Sequence, residues 1–191
     1  MIIIAFFFLL RPGDYTGTKS DSSPFRLSDV TFSFGHMVFN TATTTNNELA
    51  STTFVILVFI TQKNDVRGEK IGHGATGDLL LCPKEELWRR VAHLRQHGAP
   101  AYTPLACFKT HRGRWTNMTP TMITAHLKAT VKLLAGTHLG FTHKYVSARS
   151  LWDAGTMALL CYVVDTDIIS LVGRWRSDEM LRYLHGTIPK S

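Results

Sequence analysis

Apolar residues fall into two regimes along the chain: short or alternating runs early, and runs at helical spacing late. The opening run, Met1-Ile-Ile-Ile-Ala-Phe-Phe-Phe-Leu-Leu10, reads as a buried helix, and Arg11-Pro-Gly-Asp14 reads as the turn that stops it. Phe25 to Phe32 alternates apolar and polar residues, and Phe34-Gly-His leads into Met37-Val-Phe39, so a β-hairpin is expected. Thr41 to Asn47 is polar and reads as a loop. Thr53 to Ile60 is rich in β-branched and aromatic residues, as a buried strand should be. A turn at Gln62 to Asp65 would carry Lys63 outward, and a returning strand is expected around Glu69 to Ile71.

From Pro83 the period changes. Leu87, Val91 and Leu94 recur at helical spacing, with Pro83 in the first turn and Gly98 as the stop. Gly98 to Asn117 reads as a basic loop. A second helix opens at Thr119-Pro120, carries Ile123, Leu127, Val131 and Leu134 on one face, and stops at Gly136. Further helices are expected over Ser147 to Cys161, Thr166 to Gly173 and Ser177 to Leu184. Strands early and helices late predict an α+β fold, mainly helical, with a small antiparallel sheet.

At 191 residues the chain is long enough to bury a real core, and 45% hydrophobic against 18% charged residues excludes a wholly disordered protein. Lys and Arg number 21 against 14 Asp and Glu, a net charge of +7, which points to polyanionic partners: nucleic acid first, an anionic membrane surface second. The three cysteines, Cys82, Cys107 and Cys161, are widely separated, and with the nine histidines they form no metal-ligand spacing. A reduced, intracellular protein without a metal or other cofactor is therefore expected. The apolar opening lacks a basic leader and a small-residue cleavage site, and it is shorter than the roughly 20 apolar residues a membrane-spanning helix needs. An anchored or secreted protein is the competing reading of that segment.

Tyr183 stands close behind Gly173-Arg-Trp-Arg176, and a phenol beside fixed positive charge is a candidate nucleophile for a phosphodiester. With the motifs upstream, this stretch resembles the catalytic domain of the tyrosine recombinases, the phage-integrase class, in the versions carried by eukaryotic transposable elements. The resemblance runs from the first residues to about His185, leaving 186–191 as a short tail. Leu10-Arg11-Pro-Gly-Asp14 resembles the motif in which the first catalytic arginine precedes an acidic residue by three positions. Gln62-Lys63-Asn64 resembles the hairpin tip that delivers the catalytic lysine. Arg149-Ser-Leu-Trp152 falls at the family's His-x-x-Arg, Gly173-Arg174-Trp175 at its Gly-His or nearby tryptophan, and Tyr183, nine residues after Arg174, at its nucleophile.

The resemblance implies DNA integration or recombination on double-stranded DNA. The tyrosine hydroxyl would attack the scissile phosphate, leaving the protein joined to the 3′ end; arginines would grip the non-bridging oxygens and the lysine would protonate the leaving oxygen. It also implies nuclear localisation, assembly of several copies on DNA, and an upstream helical domain completing a clamp, which is expected to be missing here. Arg11, Lys63, Arg149, Arg174, Trp175 and Tyr183 are the implied catalytic positions; Lys109, Arg112, Arg114 and Arg176 are candidate DNA contacts.

Two substitutions weaken the implied chemistry. Trp152 stands where the family has its second arginine, and Arg149 where it has its histidine. An indole has one N–H and no charge, so it cannot replace a bidentate guanidinium, a loss worth about 10²–10³ in rate. Arg149, three residues earlier and on nearly the same helical face, is a candidate displaced charge. A non-catalytic, DNA-binding remnant is the alternative function. Each residue also has a purely structural reading: Tyr183 as the aromatic of an amphipathic helix, Arg11 as a helix C-terminal cap, Lys63 as a solvated turn residue, Arg174 to Arg176 as a surface stack, Trp152 as local packing, and Lys109 to Trp115 as a solvated loop.

Overall fold

A computed structural model describes residues 1–17, 24–60, 68–78, 80–134 and 139–175. The expected turn at Gln62 to Asp65, the stop at Gly136 and the helix from Ser177 to Leu184 lie outside them, as do Lys63, Arg176 and Tyr183.

Strands β1 (Val30–Phe34), β2 (Met37–Asn40), β3 (Phe54–Phe59) and β4 (Glu69–Gly74) form one antiparallel sheet in the order β2-β1-β3-β4. The register pairs Phe32 with Val55, Val30 with Leu57 and Leu57 with Ile71, so the buried residues of three strands share one face. Phe25 joins them, its ring edge-on to Phe59 with centroids 4.6 Å apart. The opposite face is only partly covered: Ile56 and Val58 are half-buried and Phe54 is exposed. The expectation of a fully buried β3 is thus corrected to a strand with one buried side.

Helix α1 (Ile2–Phe7) packs between α4 (Pro83–Gln96) and α6 (Ser150–Cys161), and α4 also covers β3 and β4. Three consecutive isoleucines are indifferent helix formers. Burial of Ile4, Ala5 and Phe8 against two helices supplies what propensity does not. Helix α1 stops three residues before the predicted Leu10. Leu9 takes a positive φ of 46°, which ends the helix and turns its last carbonyls toward a side chain from the far end of the chain.

The fold is α+β with a small antiparallel sheet, and the described residues add short elements that the periodicity hid. Leu27–Asp29 forms a 3-10 turn where alternation suggested strand, because the Asp29 carboxylate accepts the Arg26 backbone N–H at 2.8 Å. The predicted loop from Thr41 ends in α3 (Asn46–Ala50), capped by Thr45 and Glu48 in a reciprocal box. Lys84, buried on α4, holds the other end of α3 by donating to the Ala50 carbonyl at 2.6 Å, and pairs with Glu85 at 2.9 Å. The predicted basic loop contains a hairpin, β5 (Cys107–Lys109) and β6 (Trp115–Asn117), whose turn uses Gly113 at φ 74°. Helix α2 (Pro12–Tyr15) occupies the expected turn, α5 (Pro120–Leu133) follows its predicted start, and α7 (Thr166–Gly173) matches its predicted span.

The α1–α6 crossing depends on Gly155, where an added Cβ would strike the Phe6 carbonyl oxygen and lie 2.5 Å from Leu9 Cδ2. Backbone cannot retreat as a side-chain tip can, so Gly155→Ala is expected to cost about 1–3 kcal/mol, read as a lower urea midpoint. An unchanged midpoint would mean that the helices are not in this close contact.

His73 on β4 packs edge-on against Phe8, with ring centroids 4.6 Å apart, and beside Phe7. Burial pushes its pKa below the ordinary 6.5, against a weaker opposing hydrogen bond with the Phe7 backbone. The folded state therefore binds fewer protons than the unfolded one just below pH 6.5, and stability is lost as pH falls through that window. His73→Leu should flatten this loss between about pH 6.5 and 5 in urea titrations. An identical pH slope in the variant would refute the assignment.

Candidate functional site

The end of α1, the start of α2, the first turn of α6 and the end of α7 meet at one place. Trp152 lies at its centre, 4% exposed, packed with Leu9, Ile169 and Trp175. Its ring centroid is 4.9 Å from that of Trp175 at 58°, an aromatic pair at ordinary separation. The guanidinium of Arg11 stands 5.9 Å from the Trp152 ring centroid and that of Arg149 stands 5.8 Å from it. Cations at such distances are attracted by the indole face. Three segments, the first more than a hundred residues before the other two, thus place Arg11, Arg149, Trp152 and Trp175 together.

Each arginine is positioned differently. Arg11 precedes α2 rather than capping α1, and its backbone N–H donates to the Asp14 carboxylate at 2.8 Å. Tyr15, one residue further on, is buried and donates its hydroxyl to the Ala148 carbonyl at 3.3 Å, tying α2 to the entry of α6. Burial raises the Tyr15 pKa to about 12, with Asp14 adding to the effect, so this phenol near the cluster stays protonated. Arg149, whose side chain is 63% exposed, lies at the start of α6 with Nε 3.8 Å from Asp153 one turn on, an exposed pair worth little stability.

Arg174 has the opposite environment. It takes the left-handed conformation after α7, at φ 56°, which sends a buried side chain inward. Its guanidinium donates to the Leu9 carbonyl at 3.0 Å, the Phe8 carbonyl at 3.4 Å and the Asp14 carboxylate at 2.9 Å, and sits 4.0 Å from the Phe59 ring centroid. It thereby caps the C-terminus of α1, where positive charge is favoured. The surface stack of Arg174 to Arg176 is corrected for Arg174, which is interior. Burial lowers the Arg174 pKa to about 10 and raises that of Asp14; the mutual attraction opposes both shifts without overcoming the desolvation. Their 2.9 Å separation is that of a charge-assisted Arg174–Asp14 bridge.

Lys109, Arg112 and Arg114 are exposed on the β5–β6 hairpin and its turn, a separate element from the helices that carry Trp152. Lys109 Nζ donates to the His97 carbonyl at 3.2 Å and lies 5.7 Å from the Trp115 ring centroid, so this cation is partly held. Among the described residues no group of three potential metal ligands is found, and no helix is long and apolar enough to cross a membrane. The residue whose structural part sequence reasoning missed is Asp14, which accepts from two arginines; its spacing three after Arg11 was the available signal. No protein-family model matches the chain, and no curated protein matches it.

Removing the Arg174 guanidinium leaves Asp14 without its buried partner and two helix-end carbonyls without donors. Arg174→Met is expected to destabilise by about 3–5 kcal/mol in urea unfolding. Arg174→Lys should recover only part, because an ammonium cannot reproduce the planar fork. A change under about 1 kcal/mol in Arg174→Met would show that these contacts do not organise the fold.

Proposed function

We propose that this chain is a DNA-binding domain of the tyrosine-recombinase type, with strand cleavage through a 3′-phosphotyrosine impaired by Trp152. The observation that carries this reading is the convergence of Arg11, Arg149, Trp152 and Trp175 around one indole. Arg149 and Trp152 share one turn of α6, but Arg11 and Trp175 have no local reason to join them, and a shared phosphate site supplies one. In this reading Arg11 and Arg149 contact the phosphate, Trp175 packs beneath them, and Tyr183 and Lys63 act as nucleophile and acid on the strength of the resemblance alone. Arg174 holds the site rather than the substrate, since its donors are committed to Leu9, Phe8 and Asp14. The basic hairpin of Lys109, Arg112 and Arg114, with Arg176, would contact DNA backbone, giving salt-sensitive binding. Nuclear location and assembly on double-stranded DNA belong to the same proposal.

A non-catalytic DNA-binding remnant is the second reading, favoured by the way Trp152 fills an apolar pocket that a cation would have to occupy. One indole in place of a bidentate guanidinium lowers cleavage by about 10²–10³. Nicked duplex substrates that trap the covalent intermediate, resolved in SDS, measure it. The expected result is a faint adduct that disappears in Tyr183→Phe and strengthens in Trp152→Arg, with circular dichroism verifying that the variants fold. Salt-sensitive DNA retention without any adduct, in the wild type and in a folded Trp152→Arg, selects the remnant. Absence of DNA binding at low salt overturns both.

A further inference from the structure

His93 and His97 lie one turn apart at the C-terminal end of α4, both exposed, with ring centroids 4.4 Å apart and planes at 40°. Histidines four apart on a helix present their rings on one face. The ring nitrogen Nδ1 of His97 is 2.9 Å from the His93 carbonyl. A carbonyl only accepts, so Nδ1 carries the hydrogen, and in the neutral ring Nε2 carries the lone pair. Metal-ligating histidines commonly donate their second ring N–H in this way, which fixes the tautomer. His126 on α5 makes the same bond to Met122 at 2.8 Å, yet has Met122 and Thr130 at four residues to either side, so the bond alone does not distinguish His97. The neighbouring ring does.

We propose that His93 and His97 form a two-histidine site for a divalent late transition-metal ion. With metal–nitrogen bonds of about 2.0–2.1 Å, each ring centroid lies roughly 3.2 Å from the ion, and two ligands at a right angle then have centroids about 4.5 Å apart. The observed 4.4 Å fits adjacent positions of a square-planar or octahedral ion, the geometry of Cu²⁺ and Ni²⁺, better than a tetrahedral one. Arg90 on α4 and Lys109, whose Nζ reaches the His97 carbonyl at 3.2 Å, repel any cation. Hard ions held only by charge are therefore rejected, while ions that form strong imidazole bonds are retained. Occupancy would clamp the last turn of α4 where it meets the β5–β6 hairpin. The site has two protein ligands and open positions, short of the closed set of three or four that sequence spacing is searched for.

The test is thermal unfolding of the untagged full chain with and without Ni²⁺. Binding only the folded state should raise the midpoint by about 5 °C at a hundredfold excess over the dissociation constant, with Mg²⁺ and Ca²⁺ giving no shift. The Ni²⁺-induced shift should vanish in His93→Ala and in His97→Ala and persist in His126→Ala, each compared with its own metal-free midpoint. No shift in the wild type, or a shift that survives either His93→Ala or His97→Ala, overturns the proposal.

Discussion

The buried guanidinium of Arg174 is the constraint on which the rest of the arrangement depends. It stands where the backbone of α1 has run out of its own hydrogen bonds, so the Phe8 and Leu9 carbonyls need donors from elsewhere. Arg174 supplies them, and Asp14 balances its charge. Charged groups leave water at a cost of several kcal/mol each, and an arrangement of this kind persists only when both partners and the remaining donors are satisfied. Here four elements, α1, α2, α7 and β3, each contribute a wall or a partner. Displacing any one of them would uncover a charge.

The same constraint explains how Trp152 comes to be central. Arg174 turns the chain inward in the left-handed conformation, and the next residue, Trp175, lands against Trp152. Gly173 must be small for this, since an added Cβ would meet the Trp175 ring. Position 152 has therefore become part of a packed aromatic cluster, with Arg11 and Arg149 arranged around its ring. On the proposed function, the indole that weakens phosphate chemistry at this position also fills the apolar pocket. Such an exchange trades transition-state stabilisation for ground-state stability.

Long elements were legible in the sequence and short ones were not. Helices α4, α5 and α7 follow apolar positions at helical spacing, with proline or aspartate signals at their starts. The β1–β2 hairpin followed from alternation and its turn, and β3 from its β-branched and aromatic run; the returning strand expected around Glu69 to Ile71 is β4, which runs to Gly74. The errors have local causes. A helix as short as α3 has no period to detect, though Thr45 and Glu48 spelled out its capping box. The three-residue strands β5 and β6 lie below the length at which alternation means anything. For the site, motif order named positions 11, 149, 152 and 175 along with 63, 174 and 183, and the described structure brings the first four together around one indole. Motif order could not indicate that Arg174 points into the interior, because that depends on a backbone conformation rare outside glycine. Nor could it assign Asp14 two arginine contacts, which only tertiary structure brings together.

Helix α1, made from some of the earliest residues in the chain, is enclosed by α4 and α6, which lie some eighty and one hundred and fifty positions later. Its C-terminus is closed by a residue 165 positions from Leu9. Loop-closure entropy has to be overcome before such distant contacts contribute, which slows folding. During synthesis the run of isoleucine and phenylalanine is made before α4 and α6 and must wait for both. A segment that helps anchor the finished core is thus an exposed, aggregation-prone stretch of the nascent chain, where a holding chaperone would act.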